Sequence, residues 1–215
     1  MSRRASRVAL LCAALLAARM ASADPAIATR AMAVSWLGHI PVLSFSAGDF
    51  VDTAVADKLG SGLPQRIVTR VYAYAEHGAP EPINVSLQSC RVVYDLWEGV
   101  YRVQVQTDAS DRSIVVPDLA AVSHACLDVR KLALGDLESF GRFRDRRVYF
   151  AVLIELNPLS PDTVQRIRRW LSKPAGGQLR GDAFFGSFVS IFVSRQMGSA
   201  ERSLAFRSAT FSVPP

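Results

Sequence analysis

Alternating apolar and polar positions predict β-strands along most of this chain. Patterns rich in β-branched and aromatic residues occupy residues 31–37, 39–46, 66–76, 85–97, 100–107, 146–157 and 202–213. Glu98-Gly99 lies between two of these patterns and predicts a two-residue hairpin connection. Strands and helices do not alternate strictly, which argues against a parallel, doubly wound sheet.

Other segments have apolar residues at helical spacing. The first follows Asp49, a predicted N-cap, and ends before Gly60; the second begins at Pro117 and continues to Leu132; the third follows Ser160. The sequence therefore predicts a mainly β protein of the α+β type. We expect an antiparallel β-sandwich of about seven or eight strands with three or four inserted helices.

The stretch FFGSFVSIFV, residues 184–193, is the most apolar part of the chain after its N-terminal region. At about 100° per residue its apolar side chains fill an arc of about 200°, which predicts a helix. Such a helix would cover about 15 Å, half a bilayer, and its polar side carries no lysine or arginine, so a membrane role is disfavoured. We expect core packing; the alternative is a partner-binding or lipid-binding surface that comprises Phe184, Phe185, Phe188 and Phe192.

Aromatic residues of the strands form a second candidate surface. Trp97 and Tyr101, together with Tyr72, Tyr74 and Tyr94, have the chemistry of a groove for a glycan or a peptide. The alternative interpretation is that these side chains are cross-strand packing pairs.

The N-terminal residues have the pattern of a secretory signal peptide. Arg3, Arg4 and Arg7 precede an apolar run from Val8 to Ala18, and a small-x-small cleavage site ends at Ala23. The apolar run is shorter than the about 20 residues that a membrane span needs. We therefore expect residues 1–23 to be removed and residues 24–215 to form one globular domain in the periplasm or outside the cell, with no transmembrane span.

Removal of the signal peptide changes the charge of the protein. Residues 1–23 contain four of the 25 basic residues and none of the 19 acidic residues, so the net charge falls from +6 to +2. A nearly balanced domain has no strong field to hold a nucleic acid or anionic lipid. We accordingly expect no nucleic-acid partner.

Two cysteines remain after processing, Cys90 and Cys126. In an oxidising compartment a pair is expected to form a disulfide bond. The alternative is that both are buried thiols without a partner.

Arginines cluster at residues 141–147 and 165–170. Guanidinium groups bind carboxylates and phosphates, so Arg144, Arg146 and Arg147 are candidate anion contacts. Asp145 interrupts this first cluster, and the second has the spacing of a solvated helix face.

Motifs for catalysis, metal binding and cofactor binding are missing from the sequence. The chain has three histidines and no nucleophile-elbow motif, and it has no phosphate-binding glycine loop. His124 and Cys126 are two residues apart in a predicted helix, so their side chains diverge and cannot share one metal ion. We expect no enzyme activity, no cofactor and no bound metal.

Several phrases of the sequence also suggest a family. The segments LGSGLPQRIVTRVYAY, CRVVYDLWEGVYRV, AVLIELNPLSPDTVQRIRRWL, FFGSFVSIFV and ERSLAFRS occur in this order. This arrangement resembles a family of exported proteobacterial proteins that share a domain of unknown function, over roughly residues 40–212. The resemblance implies a periplasmic, β-rich domain and carries no catalytic residue.

Two functional hypotheses follow from these observations. The first is a non-enzymatic cell-envelope protein that binds a protein partner or serves as a structural module, through its sheet edges or the surface at residues 184–193. The second is a periplasmic carrier whose apolar strands and helix enclose a lipid or another small hydrophobic ligand.

Overall fold

The computed structural model describes residues 27–38, 40–77, 81–135, 137–158 and 200–215. The predicted signal peptide, the helix predicted after Ser160, the second arginine cluster and the FFGSFVSIFV segment lie outside the described residues. The expectations for Phe184, Phe185, Phe188 and Phe192 therefore stay predictions.

Eleven strands run through the described residues. They are β1 Ala28–Thr29, β2 Ala33–Leu37, β3 Ile40–Ser46, β4 Gln65–Ala75, β5 Asn84–Asp95, β6 Val100–Thr107, β7 Asp111–Val116, β8 Asp128–Ala133, β9 Arg147–Leu156, β10 Arg202–Arg207 and β11 Phe211–Ser212. The described α-helices are α1 Thr53–Leu59, α2 Leu119–Leu127 and α3 Leu137–Gly141, and a 3₁₀ turn at Gly48–Phe50 precedes α1.

The strands form two sheets. The larger sheet has the order β1-β10-β9-β4-β5-β6-β7, and β11 also pairs with β9. Its neighbouring strands are antiparallel except for β1 and β10, which are parallel. The smaller sheet has the antiparallel order β2-β3-β8.

The two sheets pack face to face around one apolar core. Leu43 of β3 and Val129 of β8 are buried in the same cluster as Val71 of β4 and Val152 of β9. This arrangement confirms the predicted fold class: a mainly β, α+β protein with a sandwich-like core and helices between the strands.

The start of the first helix differs from the prediction. The N-cap of α1 is Asp52, whose side chain accepts a hydrogen bond from Val55 N at 3.0 Å. Asp49 lies in the preceding 3₁₀ turn, and both of its carboxylate oxygens accept hydrogen bonds from Arg30 at 2.7 Å. The prediction of Asp49 as the cap was wrong because two aspartates precede the apolar pattern and only the second adopts the extended cap backbone.

The second helix is shorter than predicted. It ends at Leu127, and Val129 and Leu132 belong to β8, where they pair with Phe45 and Leu43. Ser44 of β3 thus lies opposite two residues of β8, Arg130 and Lys131, and the extra residue forms a β-bulge with Lys131 at φ +53°. The bulge gives apolar residues the three-residue spacing of a helix, which explains why the pattern was misread.

The connection between β5 and β6 is a four-residue turn, Leu96 to Gly99, with Gly99 at φ +68°. The predicted two-residue connection at Glu98-Gly99 was therefore too short. The predicted C-terminal strand is divided into β10 and β11, because Ser208 between them exchanges hydrogen bonds with the backbone of Phe150.

Candidate functional site

The cysteines are joined as predicted. A disulfide bond links Cys90 on β5 to Cys126 on α2, with a Cα–Cα distance of 5.6 Å. Both side chains are buried, and the backbone oxygen of Cys126 accepts a hydrogen bond from the side chain of Gln88 at 2.9 Å. The bond therefore fixes α2 on the inner face of the large sheet.

The aromatic candidates Trp97 and Tyr101 lie in the hairpin formed by β5 and β6. Trp97 is in the turn and is 98% exposed, whereas Tyr101 is half-buried and its ring lies 4.6 Å from that of Tyr94 on the facing strand. Tyr101 thus packs within the hairpin, and Trp97 projects from its end.

The arginine candidates lie at the other end of the large sheet. Arg144, Arg146 and Arg147 are exposed and precede or begin β9, next to the end of β4. Arg147 forms an ion pair with Glu76, in which the Nε–Oε2 distance is 3.1 Å. Because β4 spans 11 residues, or roughly 35 Å, the structure does not bring these arginines together with Trp97.

A cleft of about 1090 Å³ opens between the two sheets. Its floor is the inner face of β5, β6 and β7, where Gln88, Thr107 and Ile114 line it. Its walls are α2, which contributes His124, and β8, which contributes residues 128–133. The cleft thus lies where the two sheets diverge, and polar side chains line much of it.

Asp128 is the centre of a hydrogen-bonded group of polar side chains beside the cleft. One of its carboxylate oxygens accepts a hydrogen bond from Ser46 Oγ at 2.5 Å, and the other lies 2.6 Å from Nδ1 of His124. These two bonds hold the pKa of the Asp128 carboxyl below its usual range, so the group is ionised at neutral pH. Ser46 contacts the aspartate, not the imidazole, so the three groups do not form a nucleophile–base–acid relay.

Three cations also line the cleft, beside one further acid, Asp108, and neutral residues. Arg112 of β7 and Arg130 and Lys131 of β8 line it, and Arg130 approaches Asp128 only to 3.9 Å. Within the described part of the chain, Arg112 and Lys131 form no ion pair. The cleft therefore has basic groups that remain available to an acidic ligand.

Strand β7 is an open edge beside this cleft. It pairs with β6 alone among the described strands, in an uninterrupted register from Asp111 to Val116. Thr107 N donates to Ser110 O at the hairpin end, and hydrogen-bonded pairs alternate along an antiparallel ladder. The backbone N–H and C=O groups of Asp111, Ser113 and Val115 consequently point away from β6.

A second depression borders β7 on the outer face of the sheet. It has a volume of about 420 Å³; Val93 and Val115 contribute apolar lining, and Arg91, Arg102 and Gln104 contribute polar lining. Val115 is 58% exposed. The edge of β7 is thus flanked by a basic cleft on one face and a more apolar groove on the other.

This site could hardly be predicted from the sequence. Asp111–Val116 begins with two charged residues and a serine, so it lacks the alternation by which the other long strands were recognised. The short apolar run Ile114-Val115-Val116 was the available signal. The β8 wall was missed because its bulge imitates helical spacing.

No protein family model, curated protein sequence or solved structure matches the chain. The resemblance to exported proteobacterial proteins therefore stays a prediction. In the described ranges no cluster of three or more histidine, cysteine or acidic residues could hold a metal ion. No helix formed by the described residues has the length and apolar character to cross a membrane.

Proposed function

We propose that this protein is an exported, non-catalytic binding module that adds an extended segment of a cell-envelope partner to the open edge of β7. The observation that carries the proposal is the outward-pointing backbone of Asp111, Ser113 and Val115 between two depressions of the surface. Edge addition takes its affinity from main-chain hydrogen bonds and its specificity from pockets for alternate side chains.

Strand β7 lacks the features that normally protect an edge from pairing. Its last four residues, Ser113 to Val116, contain no charge, no proline and no bulge. The edge strand β2 shares these features, but neither of the two depressions described above borders it. By contrast, β8 has a bulge at Lys131, and β1 is only two residues long. Among these edges, β7 is the one best suited to accept another strand.

The two faces of the edge favour different side chains on the partner. On the inner face, Arg112, Arg130 and Lys131 favour carboxylates. On the outer face, Val93 and Val115 favour apolar side chains, and Arg91 and Arg102, which line the same depression, disfavour a cation there. Side chains of an added strand alternate between these faces, so the partner segment is expected to alternate acidic and apolar residues.

Export fits the chemistry of the described residues. Disulfide bonds persist in oxidising compartments, and the bond between Cys90 and Cys126 is buried in the core. Together with the signal peptide predicted at residues 1–23, this bond supports a periplasmic or secreted location.

The alternative, a carrier of a lipid or hydrophobic molecule, is less well supported. A carrier of an apolar ligand encloses it among apolar side chains. The cleft is open, and polar groups such as Thr107, Arg112 and Asp128 line it. Co-purification of a lipid that occupies this cleft would favour the carrier.

A proline at Ser113 provides a direct test. Proline removes the outward N–H but leaves the bonds between β6 and β7, which use the alternate residues. We expect Ser113→Pro to weaken binding of a fluorescein-labelled peptide of alternating glutamate and valine by roughly tenfold. Fluorescence anisotropy measures this affinity, and added salt should weaken it further.

Ser113→Ala is the matched control, because it removes the same hydroxyl but keeps the N–H. It should bind the peptide as the wild type does, and both variants should unfold near the wild-type temperature. Equal binding by the proline and alanine variants would contradict the proposal. So would equal affinity for a peptide of alternating lysine and valine.

A further inference from the structure

Three exposed apolar side chains lie in two adjacent loops at the end of the large sheet that is farthest from the arginine cluster. Trp97 and Leu96 are in the turn between β5 and β6, and Leu63 is in the loop between α1 and β4. Leu96 and Leu63 are 68% and 66% exposed, and Trp97 is almost fully exposed. We call these three residues the apolar tip.

The apolar tip is held in a fixed shape. The two loops touch, since a Cβ placed on Gly62 would lie 3.0 Å from Leu96 Cδ1, and Gly62 itself has φ +78°. In the turn, the Asp95 carboxylate accepts hydrogen bonds from the backbone N–H groups of Trp97 and Glu98 at 3.0 and 3.1 Å. The exposed tryptophan therefore projects from an ordered turn.

The net charge predicts no strong attraction to anionic lipid, but the local charges near the apolar tip favour an anionic surface. The acids of the turn, Asp95 and Glu98, are both paired with Arg102 at 3.1 and 2.7 Å. Arg66 and Arg91 lie directly opposite each other on β4 and β5, and both are exposed. Like charges at facing positions repel, and within the described residues no acid pairs with either of them.

These two arginines lie close to the apolar tip along the chain. Arg66 is three residues from Leu63, and Arg91 is five residues from Leu96, or roughly 10–17 Å along a strand. A tip that enters a membrane interface would bring them towards the layer of lipid headgroups.

We propose that the apolar tip inserts into the interface of an anionic phospholipid bilayer, with Arg66 and Arg91 contacting headgroup phosphates. Tryptophan favours the membrane–water interface because its ring is apolar and its N–H is polar. The three side chains are too few to supply the about 800 Å² per partner of a standard protein interface. A bilayer needs no matching surface.

This surface goes beyond the proposed function and does not depend on it. The tip residues belong to the β5–β6 turn and the α1–β4 loop, whereas the peptide edge is β7. Arg91 also lines the outer depression beside β7, whereas Leu96 and Trp97 do not. The Leu96–Trp97 variant therefore separates the two proposals: it should lose vesicle binding and bind the glutamate–valine peptide as the wild type does.

The test is co-sedimentation of the purified protein with vesicles of phosphatidylethanolamine and phosphatidylglycerol. We expect Leu96→Ser combined with Trp97→Ser to reduce the bound fraction by roughly tenfold, because apolar burial drives insertion. Arg66→Gln combined with Arg91→Gln should reduce binding to these anionic vesicles but not to phosphatidylcholine vesicles.

Leu37→Ser is the matched control, because Leu37 is an equally exposed leucine on β2. It should bind vesicles as the wild type does, and all variants should retain the wild-type thermal midpoint. Three results would overturn the proposal: no vesicle binding by the wild type, the same loss in Leu37→Ser, or a dimer that the tip substitutions dissociate.

Discussion

Replacing Cys90 and Cys126 together by alanine should lower the free energy of unfolding by about 3.5–4 kcal/mol. The bond closes a loop of 36 residues, and this figure is the chain-entropy stabilisation for a loop of that length. For a domain of this size the loss corresponds to a fall in Tm of roughly 10 °C. Urea unfolding followed by circular dichroism measures it.

Reductant supplies the control for this prediction. Unfolding of the wild type in the presence of reductant should approach that of the alanine double variant, whose own stability should not respond to reductant. Alkylation of two free thiols in the oxidised, denatured wild type would contradict the assignment of the bond.

Replacing Phe206 by alanine should lower the free energy of unfolding by about 3–5 kcal/mol, the usual range for a buried phenylalanine. Phe206 of β10 is fully buried, and its ring lies edge-to-face with that of Phe45 on β3, at 5.6 Å. It therefore joins the two sheets. Urea unfolding gives the change in stability.

Phe206→Leu is the milder comparison, because it retains much of the buried volume and should cost clearly less. Phe211→Ala is the second comparison, since Phe211 is half-buried on β11 at the edge of the same core. If Phe206→Ala destabilised the protein no more than Phe211→Ala, the two sheets would not share the core described above.

Long strands with regular alternation could be predicted from the sequence. The patterns at residues 66–76, 100–107 and 146–157 correspond closely to β4, β6 and β9. Each of these strands lies between two other strands of the large sheet. Because one or both of its faces are buried, burial determines which positions along the strand are apolar. The mainly β fold class followed from them.

Irregular elements could not be predicted in this way. The bulge of β8 brings Val129 and Leu132 into apolar environments at a spacing that also fits a helix. The N-cap was misplaced because Asp49 and Asp52 have the same chemistry, and only the tertiary contact of Asp49 with Arg30 separates them.

The candidate site could not be predicted from the sequence for a different reason. The cleft combines β7 with α2 and β8, and its shape depends on how far the sheets diverge there. An open edge depends on strand order, which periodicity does not determine. The disulfide could be predicted because only two cysteines lie outside the predicted signal peptide. Strand order was again decisive for Trp97 and the arginines at 144–147, which lie at opposite ends of the sheet.

Backbone amide exchange at the β7 edge is the most direct test of the proposed function. With the glutamate–valine peptide bound, the amides of Asp111, Ser113 and Val115 should exchange with solvent at least about tenfold more slowly, because each gains a hydrogen bond or loses contact with water. The amides of Arg112 and Ile114, already bonded to β6, should change little. Unchanged exchange at the three outward amides in the presence of saturating peptide would contradict strand addition at this edge.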